Sequence, residues 1–507
     1  MSSGSRLPEP NSSGGASLIQ NWVSFIGAAL ALVSLVNILF LVLLNYFRPS
    51  PYLGIFAYMV LPAILIGGLI LIALGVVLER NHRRTLAPDE IPRLPIINLN
   101  SPKQQQTLAV ILAEATLFIG MSAAGSYRAY EFTDSVTFCG QVCHTVMKPE
   151  YTTYLQSPHA RVACVECHVG SGAGWYVRSK LSGSYQVYAA AFHRYPRLIP
   201  TPVANLRPAQ QTCEQCHWPS RFYGAQLKVF THFSYDEENT PREVRMLINI
   251  GGAEPRGGRP SGIHWHMNIA NRITFIAADP QRQVIPWVQA EDRQGHITTY
   301  VAKDSKLTPE QISYGSRHLM DCIDCHDRPS HIFTPPDQAV DNALLAGRLT
   351  PQMPFIKQQA VTALTATYAD ENTAMGGISK SLTDFYSSKY PQQYGGASEA
   401  LRNTVTEVQH LYVMTIFPYM KVDWRTHPNN VGHYYVPGCF RCHDGQHVSG
   451  DGKVIPKDCD SCHSVIAEVA TAKPTTATMP KTQFVHPVDI GDLKAATCSD
   501  CHTGASM

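Results

Sequence analysis

Residues 138–169 read FCGQVCHTVMKPEYTTYLQSPHARVACVECHV, and the rest of the chain is organised around this stretch. It holds two sets of two cysteines and a histidine: Cys164, Cys167 and His168, and, with one more residue between the thiols, Cys139, Cys143 and His144. Two thiols that form thioethers with haem vinyl groups, followed at once by a histidine that binds the iron, are the attachment sequence of c-type haem. The stretch therefore predicts two covalently bound haems close together in the chain.

The same pattern recurs five times further along. Its residues are Cys213, Cys216 and His217; Cys322, Cys325 and His326; Cys439, Cys442 and His443; Cys459, Cys462 and His463; and Cys498, Cys501 and His502. Zinc knuckles, redox dithiols and local disulfides also use Cys-x-x-Cys pairs, but a zinc site tolerates many residues after the second cysteine. Here histidine follows all seven pairs, which use all 14 cysteines, whereas chance would give about 0.02 such motifs. We expect seven covalently bound c-type haems, each iron bound by its motif histidine.

The charge balance gives no reason to expect a nucleic acid partner, since 41 basic and 39 acidic residues leave a net charge of +2. A chain of 507 residues normally forms several domains, but here the porphyrins supply much of the buried apolar surface. Covalent haem is attached outside the cytoplasm, so the haem-bearing part is expected in a periplasm-like compartment.

Two long apolar segments near the N-terminus predict transmembrane helices. They follow residues 1–21, which are rich in Ser and Gly and predict a disordered tail. Residues 22–47 and 53–78 contain no charged side chain, and each is longer than the roughly 20 residues that cross a bilayer. A third apolar run, residues 108–124, is interrupted by Glu114, and its alternative is an amphipathic helix lying on the membrane surface.

The distribution of basic residues decides the predicted topology. The segment 79–106 contains Arg80, Arg83, Arg84, Arg93 and Lys103, whereas the turn after the first helix contains Arg48 alone. The positive-inside rule places this segment in the cytoplasm. Because the haems must lie on the other side, the chain has to cross again before the first motif, and residues 108–124 are the segment for that crossing. We expect three helices within residues 22–126, with the N-terminus inside.

The spacing of the motifs indicates the domain organisation. Four motifs lie within residues 127–338, interrupted over about 218–317 by alternating apolar runs and turn signals that predict a small antiparallel β insertion. Residues 339–436 show helical spacing of apolar residues and predict a helical spacer with a loop at Gly376-Gly377. Residues 437–507 carry three motifs. The expected fold is mainly α: three N-terminal transmembrane helices, then a loop-rich multihaem cytochrome c region with a small β insertion.

A sixth ligand on each iron decides its role, because an iron closed by His or Met serves electron transfer and an open one suggests catalysis. Of the 21 histidines, seven belong to motifs and fourteen remain. The candidate distal ligands are Met147, His159, His232, His318, His331, His433, His447 and His486, with His193 and His266 as reserves. For each, the alternative is a buried structural side chain. His264 and His266, two apart, would face the same way on a strand and either present a ligand or be structural.

Two stretches resemble the NapC/NirT family of membrane-anchored quinol dehydrogenases. One is Ser157-Pro158-His159 before the second motif; the other is CIDCHDRPSH at residues 322–331, similar to that family's last haem motif, whose trailing histidine ligates another haem. The resemblance covers about residues 108–335 without the β insertion. The usual member has one transmembrane helix and four or five haems. In overall plan the chain looks most like the seven-haem, three-helix inner-membrane cytochromes with which metal-reducing bacteria pass quinol electrons toward extracellular acceptors.

The resemblance implies a quinol site beside the first haem. In the family a lysine after the second haem lies in this site with an acidic partner; Lys180 matches the lysine, and Glu131 or Asp134 takes the partner's place, with ordinary solvated charge as the alternative. The implied function is a quinol:cytochrome oxidoreductase of a bacterial inner membrane, passing electrons from menaquinol to periplasmic c-type cytochromes. The alternatives are a terminal multihaem reductase of a small oxyanion such as nitrite, or an electron-bridging subunit of a larger quinone-oxidising complex.

Overall fold

The computed structural model describes residues 21–47, 61–83, 100–170, 172–201, 203, 207–251, 262–267, 271–395, 398–469 and 497–505. The predicted tail, most of the predicted cytoplasmic segment and His486 lie outside these residues. The chain divides into two compact units, residues 1–134 with 171–177, and residues 135–170 with 178–507. The first contains the N-terminal helices and the second all seven Cys-Cys-His motifs.

The first unit begins with two apolar helices, Trp22–Phe47 and Leu61–Arg83, that pack side by side. Two side-chain hydrogen bonds connect them. The Asn21 amide donates to the Gly75 carbonyl at 3.1 Å, and the Ser24 hydroxyl donates to the Ile72 carbonyl at 3.2 Å. The segments Trp22–Leu43 and Leu61–His82 have mean hydropathies of 2.7 and 2.8 and are long and apolar enough to cross a membrane. Two of the three predicted segments are thereby confirmed as helices long and apolar enough to cross a membrane.

The third predicted membrane helix is not confirmed. Residues 108–124 lie inside a longer helix, Pro102–Thr133, but among the described residues only the two helices above qualify as membrane spans. The physical difference is charge, because Glu114 interrupts the apolar run and Lys103, Arg128 and Glu131 occupy the two ends of the helix. The structure thus corrects the expected third span to one part of a 32-residue helix with polar ends.

The remaining helices are mostly short. They are His144–Leu155, Cys164–His168, Ala173–Ala191, Ala209–Cys213, Pro309–Tyr314, Cys322–Cys325, Pro336–Leu345, Ile356–Thr365, Glu371–Lys389, Pro391–Tyr394, Glu399–Thr415 and Cys498–Cys501. Single 3₁₀ turns form at Pro219–Arg221, Trp265–Met267, Pro418–Met420, Gly438–Arg441 and Cys459–Ser461. Most motifs lie in such a short turn, because two cysteines three residues apart must face the same way to reach one porphyrin edge.

Among the described residues of the second unit, eight strands form two sheets. The strands are β1 Ala225–Phe233, β2 Pro241–Asn249, β3 Arg272–Ile276, β4 Trp287–Glu291, β5 Ile297–Ala302, β6 His318–Leu319, β7 His447–Ser449 and β8 His463–Val469. The sheet orders are β1-β2-β8 and β6-β3-β4-β5-β7, with antiparallel neighbours throughout. Strands form where the sequence predicted them, but β7 and β8 come from the C-terminal region. Both sheets therefore join the insertion to the last motifs.

The predicted helical spacer has an extensive apolar core. Its helices bury Val340, Ile356, Ile378, Leu382 and Val408 completely. The loop predicted at Gly376-Gly377 is wrong, because both glycines lie inside the helix Glu371–Lys389. Gly377 serves close packing instead: a Cβ there would lie 2.2 Å from the ring of Tyr368.

Candidate haem-binding and electron-transfer site

A large cavity of about 2730 Å³ lies in the second unit. Residues of every motif from the second to the seventh line it, together with apolar side chains such as Phe230, Phe275 and Ile285. A site for one small ligand measures roughly 300–1,000 Å³. This cavity therefore has the volume and the lining for several porphyrins.

The cysteines of consecutive motifs are neighbours. Thiols of each pair of consecutive motifs lie close enough to influence each other electrostatically. The pairs, in order along the chain, are Cys139 with Cys164, Cys167 with Cys213, Cys213 with Cys322, Cys325 with Cys439, Cys439 with Cys462, and Cys459 with Cys498. All fourteen cysteines are free of disulfides. The motifs therefore follow one another in space in the same order as in the sequence.

The first motif, with three residues between its cysteines, lies in a π-helical turn over Phe138–Val142. The regular second motif forms an α-helical turn, Cys164–His168. Because a π turn takes one residue more than an α turn, it accommodates the extra residue and lets Cys139 and Cys143 serve one porphyrin as the regular pairs do. The local fold of this motif thus fits haem attachment.

Five motif histidines stand opposite a second histidine. The distances between ring centres are 6.3 Å for His168 and His331, 6.0 Å for His217 and His159, 6.4 Å for His326 and His264, 5.8 Å for His443 and His266, and 6.0 Å for His463 and His433. Imidazole nitrogen binds a first-row metal at about 2 Å, and with the nitrogen about 1 Å from its ring centre, two rings on one metal have centres roughly 6 Å apart. The five pairs have this spacing.

Two of these histidines are anchored by backbone carbonyls. One carbonyl belongs to the loop after the fourth motif, and the other to the helix after the first motif. The ring of His159 is anchored through Nδ1 to the Pro329 carbonyl at 3.1 Å, and that of His331 through Nδ1 to the Glu150 carbonyl at 2.9 Å. Metal-binding histidines usually donate their second ring N–H to a carbonyl or carboxylate, which fixes the tautomer and leaves the other nitrogen for the metal. Both residues show this arrangement.

Burial favours the neutral form of several of these imidazoles, which metal binding requires. It lowers the pKa of His331 to about 4 and also lowers the pKa of His168, His433 and His463. In the last pair the Nδ1 atoms of His433 and His463 are buried without a hydrogen-bond partner among the described residues. A bound iron would satisfy such a nitrogen, so these residues also fit the group that the motifs imply.

The seventh motif histidine has a different neighbour. The ring of Tyr434 lies between His502 and His232, with ring centres 4.3 Å and 5.4 Å away and nearly parallel planes. The ring of His232 is anchored through Nδ1 to the Asp341 carboxylate at 3.1 Å. His232 therefore has the anchoring expected of a metal ligand, and the ring of Tyr434 stands next to both His232 and the last motif histidine.

Other predicted ligands have different surroundings. Both ring nitrogens of the buried His447 are bonded, Nδ1 to the Asp444 carboxylate at 2.9 Å and Nε2 to the Ile285 carbonyl at 2.7 Å. This leaves no nitrogen for iron and corrects that candidate to a structural role in β7. His318, on β6, packs against Phe275 at 5.6 Å. Met147 is half-buried in the first turn after motif one.

The residues predicted for the quinol site belong to different units. Lys180 lies half-buried on the helix Ala173–Ala191, in the second unit. Its neighbours Leu181 and Tyr185 are 69% and 65% exposed. In the first unit, Glu131 forms an ion pair with Arg128 at 3.3 Å, and Asp134 caps the helix Pro102–Thr133.

Two of the paired histidines carry little signal in the sequence. His266 was a reserve candidate and His264 an undecided one, yet each stands opposite a motif histidine at the spacing of a shared metal. Their only local signal was the His-x-His spacing, which a structural pair shows equally often. The partner motif is distant in the chain, so the sequence held no further clue.

Two parts of the chain, one at each end of the haem-bearing region, match known protein families. Residues 101–197 match the NapC/NirT cytochrome c family, N-terminal region, and residues 433–507 match cytochrome c3. The chain is similar to cytochrome c-type protein ImcH of Geobacter sulfurreducens, with 42% identity over 97% of this chain and 96% of that protein. It is also similar to cytochrome c-type protein NrfH of Wolinella succinogenes, with 29% identity over 22% of this chain and 63% of that protein. No solved structure matches the chain.

Proposed function

Since the chain belongs to the NapC/NirT family of multihaem c-type cytochromes, we propose that it is an inner-membrane quinol dehydrogenase that passes electrons from menaquinol through seven c-type haems to periplasmic electron carriers. This proposal rests on the observation that the motifs follow one another in space in their order along the chain. Cysteines of each consecutive pair are neighbours from Cys139 to Cys498. Such an order suits conduction from one end to the other.

The motif residues would hold the cofactors: two cysteines attach each porphyrin and the motif histidine binds the iron. When bound, haem c supplies an iron that carries one electron at a time. His331, His159 and His433 are the proposed distal ligands at motifs two, three and six, since each ring stands about 6 Å from that motif's histidine. At motif seven His232 is the proposed ligand, anchored by Asp341. Paired histidines argue against the alternative of a terminal reductase, which needs an open iron position.

Lys180 is proposed to bind the quinol oxygen and to favour its deprotonation, with Glu131 or Asp134 accepting a proton. The exposed Leu181 and Tyr185 beside it suit contact with lipid, where a quinol tail stays. We propose that the haem-bearing region lies in the periplasm, on the side of the membrane where covalent haem is attached.

The test replaces Lys180 by leucine in the full-length protein in detergent or liposomes. We expect reduction by a menaquinol analogue, followed by stopped-flow haem absorption, to slow by about 10²-fold or more, in the range that a lost proton-transfer group costs. Reduction by dithionite and haem content should stay unchanged. Lys380→Leu removes an exposed helical lysine of the spacer and serves as the control. A normal quinol rate in Lys180→Leu would refute this site and favour the electron-bridging alternative.

A further inference from the structure

We propose that His264 and His266, presented by one short turn of the β insertion, are the distal iron ligands at motifs four and five. The turn would then connect motif four with motif five, which lies in the region that matches cytochrome c3. This inference rests on the haem attachment in the proposed function, and it is independent of quinol oxidation.

The turn is held in a fixed position by the end of strand β2. The backbone N–H of Ile263 donates to the Asn249 carbonyl at 2.9 Å, and that of His264 donates to the Ile250 carbonyl at 3.2 Å. The chain then closes into the 3₁₀ turn Trp265–Met267. Both histidines are therefore placed by backbone bonds to a sheet rather than by a free loop.

A glycine makes this close approach to β2 feasible. Gly262 has a φ of +93°, in the region that only glycine adopts readily. A Cβ at this position would lie 2.6 Å from the Asn249 carbonyl oxygen and 2.9 Å from the backbone of Gly251. The backbone geometry that orients the two histidines therefore requires glycine at position 262, two residues before His264.

Each ring uses one nitrogen for the protein. The Nδ1 of His264 lies 2.9 Å from the Ile250 carbonyl, and the Nδ1 of His266 lies 3.1 Å from the Ile263 carbonyl. Both residues line the cavity, so their Nε2 atoms are available there. His447 of strand β7, by contrast, has both ring nitrogens bonded to protein. The two histidines of the turn instead follow the pattern of metal ligands.

The rings stand at ligand spacing from two different motif histidines. The centre of His264 is 6.4 Å from that of His326, with planes 5° apart, and the centre of His266 is 5.8 Å from that of His443, with planes 87° apart. Both distances agree with the roughly 6 Å expected for two imidazoles on one metal. Because a ring can rotate about the bond to iron, parallel and perpendicular planes are equally compatible with ligation.

The environment fixes the two orientations. Phe222 packs on His264 with ring centres 4.5 Å apart, and Trp265 meets His266 edge-on at 5.8 Å. In electron paramagnetic resonance, low-spin haem with parallel imidazole planes gives a rhombic signal, and haem with perpendicular planes gives a strongly anisotropic one. The two ligands are therefore distinguishable by the kind of signal that each supports.

The experiment uses the full-length protein with its haems, oxidised and without quinol. His264→Ala is expected to convert one haem in seven from low to high spin and to remove a rhombic signal. His266→Ala is expected to convert one haem in seven and to remove a strongly anisotropic signal. Added imidazole should restore low spin in both. The control is His296→Ala, which removes an exposed histidine of the same insertion, paired only with Asp292 in the described structure, and should leave the spectrum unchanged.

Retention of all low-spin signals in either alanine variant, at full haem content by mass, would overturn the assignment for that histidine. His264→Met and His266→Met cover the case in which an alanine variant does not accumulate. Methionine keeps a sixth ligand and raises the reduction potential of haem iron, so one midpoint potential of the seven should rise in each. Unchanged potentials would contradict the proposal. Since these spectra need no quinol, failure of the quinol proposal would give a separate result.

Discussion

The buried ion pair between Lys357 and Asp341 offers the sharpest test of how the helical spacer is held together. Their side chains are 3% and 2% exposed, and the ammonium nitrogen lies 2.5 Å from the carboxylate. The same carboxylate accepts from the backbone N–H of Phe233 at 3.1 Å and holds the Nδ1 of His232 at 3.1 Å. Lys357→Met keeps a similar side-chain length but leaves the Asp341 charge buried without its cation.

Breaking a buried ion pair by removing one partner costs about 3–5 kcal/mol, because the remaining charge is uncompensated. At about 1.4 kcal/mol for each factor of ten, local opening should become roughly 10²- to 10⁴-fold more frequent. Hydrogen exchange of the full-length protein, read by mass spectrometry over the helix Ile356–Thr365, measures this directly. The exchange of that helix should accelerate by the same factor in Lys357→Met.

The matched control is Lys380→Met, which removes the lysine of an exposed pair with Asp384, where the side chains are 76% and 62% exposed. Such a pair on one helix face contributes only about 0.3–0.5 kcal/mol, so exchange should change by about twofold. Asp341→Asn added to Lys357→Met removes the stranded charge and should restore part of the protection. If Lys357→Met exchanged as slowly as the control, the ion pair would not stabilise the spacer as argued.

Two further predictions concern the haem count and the pH dependence of stability. Intact-mass spectrometry should show seven covalent haems, and Cys143→Ser should lower the count to six; a wild-type count of six would mean that the spaced motif is not loaded. His427 is 3% exposed and burial lowers its pKa to about 4, so unfolding takes up a proton between pH 6.5 and 4 and stability falls as pH falls through that window. His427→Phe should flatten this part of a thermal-unfolding profile, and an unchanged pH slope would contradict the assignment.

The sequence by itself determined the cofactor type and predicted the places where it attaches. Haem attachment needs two thiols and a histidine within one turn of chain, so its requirement is local and is written in consecutive residues such as Cys164, Cys167 and His168. The apolar helix Trp22–Phe47 was equally readable, because a bilayer demands an uninterrupted apolar run. The strands of the β insertion were visible for a similar reason, since alternation of apolar and polar residues is a local pattern.

Only the tertiary structure decided which histidines face which motif. A distal ligand comes from a part of the chain distant in sequence, and no local spacing marks it: His266 stands opposite His443 because one turn is fixed on β2. His447, close to a motif in sequence, has both ring nitrogens bonded to protein oxygens. The helix through Gly376 and Gly377 is another case that needed the structure, because Gly377 packs against the ring of Tyr368 instead of forming a turn. Motif chemistry is set by neighbours in the chain, whereas ligand pairing is set by contacts between distant segments.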